Sequence, residues 1–367
     1  MSAANGGLAP HVLHVLPDAE TLRLIGAFGT KLRHTLVTSD GLLPQGQRPS
    51  PSLRPASNFP GLEGLPLPGR MQKIARAMTP YDLVLTHGVG ALDVAMAHTL
   101  FKDAMELPPL IHHERNAEER GGLKAKWYRR LALGKSAGLV VPGEELEEAA
   151  LVDWQQPLGR VKRIPPATDT KAFARKPKKD GFRLIKRPGE MWIGVWPSRF
   201  DANALGALAR GFDRLATTWH LVIIGERDVP AALQEEIDRL QIGDRVHFPG
   251  TTDDPTRVIG LFDIFVDLAD SRAFPTHAIE AMAAGLPVVA PKDSELSQLL
   301  STENAAWLFD PKDEDLLGAH LHGMSENKAE RAVLGEANRA KAVREYDTDK
   351  VTATYRRLYS SAMKTEF

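Results

Sequence analysis

The sequence predicts an α/β protein built from two domains, each a doubly wound parallel sheet. Three observations carry that expectation. Short apolar runs such as His11-Val-Leu-His-Val-Leu16 and Leu221-Val-Ile-Ile224 are each followed by a turn and a stretch with helical spacing, which is the alternation of buried strand and crossover helix. The same rhythm occurs twice along the chain, before and after about residue 165. At 367 residues, with 43% hydrophobic and 25% charged side chains, the chain is long enough and apolar enough for two cores, which excludes wholesale disorder.

A net charge of −1 argues against a dedicated nucleic-acid binder, so no nucleic-acid partner is expected. The chain has no cysteine, which excludes disulfides, thiolate metal sites and cysteine nucleophiles and is compatible with a reducing cytoplasm. The N-terminal MSAANGGLAP lacks the basic and long apolar parts of a signal peptide, and no run approaches about 18 apolar residues. A soluble or peripheral protein is expected, in the cytoplasm or at the inner face of its membrane.

Taken in order, His11 to Leu16 reads as the first strand, Pro17-Asp18 as its turn, and about Ala19 to Phe28 as the first helix. His34 to Thr38 is the second strand. Gly41 to Gly69 contains seven prolines, a density that forbids long regular elements and predicts a functional or mobile loop. Met71 to Met78 reads as a short helix, and Tyr81 to Thr86 as a strand delivering His87-Gly88-Val89-Gly90. Without a third glycine that turn reads as a tight turn before it reads as a phosphate loop. His87, at a strand's carboxyl end, is placed where open α/β sheets bind ligands. Pro109 to Arg115 is another strand with polar residues at its end, His112 and His113 facing opposite ways. Lys124-Ala-Lys126-Trp127-Tyr128-Arg129-Arg130-Leu131 is a basic amphipathic helix, either a surface for anionic lipid or a solvated helix whose aromatics are core. Gly138 to Val141 and Val161 to Pro166 complete the strands of the first half.

In the second half Met191 to Trp196 is the first strand, followed by Ser198-Arg199-Phe200. Leu221 to Gly225 is a strand ending in a glycine turn, with a helix from Pro230 to Leu240. Arg245 to Thr251 and Ile264 to Leu268 are further strands. The most informative stretch is Ser271 to Pro291, SRAFPTHAIEAMAAGLPVVAP. Pro275 suits a helix's first turn, Thr276, His277 and Ala278 follow, Gly285 stops the helix, and Leu286 to Ala290 is a buried strand. A helix that opens beside a strand end aims free N–H groups and the positive end of its dipole at one spot, here Thr276, His277 and Ala278, and that spot suits a phosphate. Glu280, one turn further in, is placed to accept hydrogen bonds from ribose-like hydroxyls.

Glu280-Ala-Met-Ala-Ala-Gly-Leu-Pro-Val-Val289 resembles the donor-site signature of the retaining glycosyltransferases of family four, also called glycosyl transferases group 1. The resemblance implies the GT-B fold, two Rossmann-like domains facing across a cleft. It divides the chain into an acceptor-side domain at 1–165, a nucleotide-sugar domain at 166–346 and a final helix at 347–367 that crosses back. It implies transfer of a sugar from a nucleoside diphosphate sugar to a glycan, polysaccharide or glycolipid acceptor with retention, with no cofactor and no bound metal. It makes Arg199 the clamp on the pyrophosphate, His113 (or His112) the residue facing the transferred sugar, and Thr251 a neighbour of the nucleotide base. It also likens the helix bearing Lys124, Lys126, Arg129 and Arg130 to those that peripheral glycosyltransferases set against anionic membranes.

The chain departs from the pattern at three places. The usual N-terminal glycine pair is Pro17-Asp18-Ala19-Glu20, the lysine after Arg199 is missing from Asp201-Ala-Asn-Ala-Leu205, and the first motif glutamate is Arg272. An arginine cannot accept hydrogen bonds from sugar hydroxyls. Arg272 therefore serves as a substitute phosphate clamp, pairs with the carboxylate of an acidic donor sugar, or marks a chain without transfer activity. In the last case the protein is a silent binding or scaffolding subunit that keeps the fold.

Overall fold

A computed structural model describes residues 8–44, 47–115, 122–177, 184–197, 201–225, 229–252, 254–268 and 274–367. The chain divides into two compact units, Met1–Pro166 with Val351–Phe367, and Ala167–Lys350.

The first unit contains a parallel sheet of β1 (His11–Val15), β2 (Arg33–Val37), β3 (Leu53–Pro55), β4 (Leu83–His87), β5 (Leu110–His113), β6 (Gly138–Val141) and β7 (Val161–Arg163). Its spatial order is β3-β2-β1-β4-β5-β6-β7, so the winding reverses between β1 and β4. The helices are α1 (Ala19–Phe28), α2 (Pro68–Met78), α3 (Leu92–Met105), α4 (Leu123–Ala132) and α5 (Glu144–Glu148). Helix α1 spans the predicted residues because Asp18 caps it, its carboxylate accepting the Thr21 N–H at 2.7 Å.

The proline-rich segment and the helix after it differ from expectation. The proline-rich segment holds β3, which pairs parallel with β2, with His34 N–H donating to Ser52 at 2.7 Å and Ala56 N–H to Leu36 at 2.8 Å. Pro55 is tolerated because β3 lies at the sheet edge, where a missing N–H costs no ladder bond. Helix α2 begins at Pro68, with proline in its first turn, rather than at Met71.

The second unit repeats the design. After α6 (Thr170–Phe173) come β8 (Met191–Val195), α7 (Ala202–Asp213), β9 (Trp219–Ile224), α8 (Ala231–Leu240), β10 (Val246–Gly250), β11 (Ile264–Val266), α9 (Thr276–Ala283), β12 (Val288–Pro291), α10 (Leu296–Leu299), β13 (Leu308–Phe309), α11 (Glu314–Glu326) and α12 (Lys328–Glu345). The strand order β10-β9-β8-β11-β12-β13 is again parallel and reverses between β8 and β11. Helix α13 (Thr348–Met363) ends the chain, and from Val351 it packs with the first unit. Among the described residues no helix is long and apolar enough to cross a membrane.

Helix α9 is held at its carboxyl end. Gly285 has φ +80 and closes a Schellman turn, its N–H donating to Met282 at 2.9 Å and that of Leu286 to Ala281 at 3.0 Å. Helix α12 crosses that turn so closely that a Cβ on Gly335 would lie 2.0 Å from the Gly285 carbonyl oxygen. The start of β12 is pinned by a buried amide pair. Asn304 accepts the Val288 N–H at 3.0 Å and donates back to its carbonyl at 2.6 Å, while Asn338 donates to Leu286 and to Asn304.

Candidate functional site

In an open parallel sheet the loops leaving two strands at a winding reversal run to opposite faces, and ligands collect at the carboxyl ends there. In the second unit that position lies beyond Val195 of β8 and Val266 of β11, at Trp196 and the buried Asp267. Helix α9 starts here. Pro275 lies immediately before the helix rather than within it.

The sequence predicts three free amides at this helix start, and one of them is committed. Thr276 N–H donates to the Phe274 carbonyl at 2.8 Å, and the first intrahelical bond runs from Ile279 N–H to Pro275 at 3.3 Å. Among the described residues the amides of His277 and Ala278 have no partner, and they lie between those two bonds at the positive end of the helix dipole.

Glu280 is 5% exposed, and its carboxylate accepts a hydrogen bond from Nδ1 of His277 at 2.7 Å. The His277 ring in turn lies on the Trp196 indole, with centroids 4.0 Å apart and planes 13° from parallel. Three expected residues, His277, Ala278 and Glu280, are thus brought together. Thr251 is not beside them. It is exposed just past β10, the edge strand, and three strand spacings from β11 amount to roughly 14 Å. Arg199 and Arg272 lie outside the described residues.

Trp196 and the His277 side chain escaped the sequence reading, which placed only the main chain of His277. A signal was present. Trp196 directly follows a predicted strand, where the switch-point rule puts ligand contacts.

In the first unit His87, His112 and His113 sit at the predicted strand ends, but all three are buried, at 6%, 1% and 2% exposure. Other side chains of the first unit cover them. His113 Nε2 is engaged by the Tyr359 hydroxyl of α13 at 3.1 Å, and its ring stacks on His87 at 4.7 Å. His87 continues the stack to His14 at 5.9 Å and hydrogen-bonds Thr21 at 3.2 Å, while His14 meets His34 at 2.9 Å. His112 points to the other face, bonded to Thr86 at 2.9 Å and 3.9 Å from Glu114. Burial lowers the pKa of His87 to about 4, Asp18 opposing only in part, and burial followed by the neighbouring imidazoles holds His113 well below the ordinary histidine range. The Gly88-Val-Gly90 turn is a tight turn. Gly88 has φ +64, and a Cβ on Gly90 would lie 2.8 Å from Leu16.

Helix α4 is also corrected in part. Arg129 is 1% exposed, over the Trp154 ring and 3.7 Å from Glu114, and Lys126 pairs with Asp153 at 2.8 Å. Neither presents a free charge. Lys124 is exposed, and Arg130 stacks over Trp127 at 5.0 Å. Trp127 is not core. With Leu123 and Leu131 it forms an exposed line at i, i+4 and i+8.

Residues 203–341, the part of the second unit that carries Glu280, match the sequence family Glycosyl transferases group 1. Two curated proteins are similar in sequence. The chain is 30% identical over 206 residues to a phosphatidyl-myo-inositol mannosyltransferase of Mycolicibacterium smegmatis, covering 54% of this chain and 51% of that one. It is 19% identical over 144 residues to the N-acetyl-alpha-D-glucosaminyl L-malate synthase of Bacillus anthracis, covering 39% and 38%. The chain therefore spans about half or less of the length of these two curated relatives. Its GT-B fold is that of Anabaena HepE, solved in complex with UDP, with a TM-score of 0.76, 17% identity, and 96% of this chain and 100% of that one covered.

Proposed function

We propose that this protein is a group 1 glycosyltransferase moving a sugar from a nucleoside diphosphate sugar to a glycan, polysaccharide or glycolipid acceptor with retention of configuration. The observation that carries the reading is the start of α9 at the second sheet's winding reversal, with two uncommitted amides beside a buried carboxylate held in place by His277. In such a reaction the bond from the anomeric carbon to the diphosphate breaks as the acceptor oxygen bonds to that carbon. The protein's part is to stabilise the departing dianion and orient the hydroxyls. The amides of His277 and Ala278, with Arg199 and Arg272, are the groups proposed for the diphosphate, and Glu280 is the acceptor for donor hydroxyls. Nucleotide-sugar binding is also what the solved complex of HepE with UDP-glucose displays. Incubation with uridine, guanosine and adenosine diphosphate sugars, uronic acids included, is expected to release nucleoside diphosphate with at least one donor. Silence across the whole panel sinks the reading.

The sealed first unit favours a second reading, a silent subunit that keeps the fold. It predicts no calorimetric heat with any nucleoside diphosphate and a protein partner on co-purification. The exposed line Leu123, Trp127 and Leu131, flanked by Lys124 and Arg130, supports peripheral contact with an anionic membrane. Binding to anionic vesicles that survives Trp127→Ser unchanged counts against that contact.

A further inference from the structure

His277 and Glu280 lie three residues apart on α9 and so share one face of the helix. Two contacts hold the imidazole. The 2.7 Å bond to Glu280 sets its rotation and puts a proton on Nδ1, and the parallel indole of Trp196, 4.0 Å away, closes one of its faces. A ring held from two directions has one polar atom left for a ligand, Nε2. That atom has no partner among the described residues, and a third of the side chain, 33%, is open to solvent while Glu280 shows 7%.

Outer residues that fix a histidine's tautomer and tilt are a general device for aiming the remaining nitrogen. The aim matters here because of the neighbouring amides of His277 and Ala278, donors that attract an anion. Between a carboxylate on one side and a phosphate on the other, both acceptors, the ring satisfies both only by donating at Nδ1 and at Nε2. The geometry points to Trp196 as a positioning residue that holds His277 on Glu280, so that His277 Nε2–H donates to a phosphate oxygen of the bound nucleoside diphosphate. The inference rests on the donor-binding function proposed above and names a side chain and an orienting residue for it. The second proton comes from solvent on binding or is already present. Glu280 thereby serves two partners, the imidazole through one oxygen and the ligand hydroxyls through the other.

The test uses the full chain and its Trp196→Leu, Trp196→Phe and His277→Gln variants, titrated with UDP, GDP and ADP by calorimetry. For whichever diphosphate the parent binds, Trp196→Leu and His277→Gln are each expected to weaken binding about tenfold, the size of one lost charge-assisted hydrogen bond. Trp196→Phe keeps a flat surface and is expected to stay within about threefold of the parent. With active protein, the KM for the donor rises in Trp196→Leu while the KM for the acceptor does not. Nitrogen-15 spectra of labelled protein are expected to show His277 protonated at both nitrogens in the complex. Parent-like binding by Trp196→Leu or by His277→Gln, or an unprotonated Nε2 in the complex, overturns the inference while leaving the donor-site function standing. Failure of the parent to bind any of the three diphosphates overturns both. If Trp196→Leu does not fold, the comparison of Trp196→Phe with His277→Gln and the nitrogen spectra decide.

Discussion

The two sheets share one topology and treat its most useful point in opposite ways. At the reversal of the first sheet, between β1 and β4, contacting rings run across four adjacent strands, from His34 near the start of β2 through His14 on β1 to His87 and His113 at the carboxyl ends of β4 and β5. Tyr359 closes the end of the row, and Asp18 and Arg115 form an ion pair at 2.7 Å nearby. At the reversal of the second sheet the corresponding space holds a carboxylate, an imidazole with one nitrogen unpartnered among the described residues, and two amides without intrahelical partners. A winding reversal offers a place for a ligand, and the side chains at the strand ends decide whether the place is filled from within. On the proposed donor-site reading, the second receives a ligand from outside.

That contrast has a thermodynamic signature, and acid gives the largest expected effect. Burial, reinforced by neighbouring imidazoles, holds His14 and His113 well below the ordinary range, and burial with the charge of His11 lowers His34 to about 4. Burial also brings His87 to about 4. Such groups are neutral when folded and take up protons when unfolded, so the unfolded state binds more protons below about pH 6.5. Their stability contribution is complete above that pH and is lost as pH falls toward about 4, by about 1.4 kcal/mol per pH unit for each fully differential proton. In the second unit the lowered imidazoles, His247 and His320, are only half-buried. Hydrogen exchange, corrected for intrinsic rates, is therefore expected to lose protection in β1, β2, β4 and β5 between pH 7 and pH 5 well before it does in β8 and β11. A His14→Leu variant flattens the slope. Equal loss in both units breaks the comparison.

The second unit depends instead on close backbone packing under its site. A methyl group on Gly335 meets the Gly285 carbonyl at 2.0 Å, at the turn that ends α9. Alanine gains about 1 kcal/mol of helix propensity over glycine, while overpacking against backbone costs 1 to 3, and a contact this short belongs at the upper end, so a net loss of about 2 kcal/mol is expected. Denaturant unfolding measures the loss, and nucleotide affinity is expected to fall with it because the displaced helix carries Glu280 and His277. A Gly335→Ala protein as stable as its parent shows that α12 yields, and that α9 is less firmly placed than its contacts imply.

How much of this was readable beforehand follows the range of the interactions. Helix α1 was predicted with its observed span because the Asp18 cap and the apolar spacing are local. Glu280 was found from a contiguous run. Strand β3 was hidden because Pro55 reads as a breaker unless the strand is known to be at an edge. The histidine row is invisible in one dimension, since His14 and His87 become neighbours only through the order β2-β1-β4-β5. His113 was placed against the transferred sugar by the resemblance, and the residue that covers it, Tyr359, comes from the far end of the chain, 246 positions away. Arg129 was counted as a surface cation because a basic helix is usually solvated, yet its facing partners, Glu114 and Trp154, lie on other elements.

The smallest effect is the sharpest on the meaning of the seal. Tyr359→Phe keeps the ring against Phe28 and Tyr355 and removes only the hydroxyl that meets His113. The loss of one buried hydrogen bond, with an imidazole nitrogen left unpartnered, is worth about 1 kcal/mol of stability. If the row is packing, the variant unfolds at slightly lower denaturant and binds nucleoside diphosphate as before, because nothing in the second unit has changed. If the hydroxyl instead restrains a ring that engages the acceptor, freeing His113 alters the KM for the acceptor while the KM for the donor stays constant. The first outcome keeps the two winding reversals distinct, one closed by its own side chains and one open to a ligand. The second makes Tyr359 a latch, and the first unit's reversal a site after all.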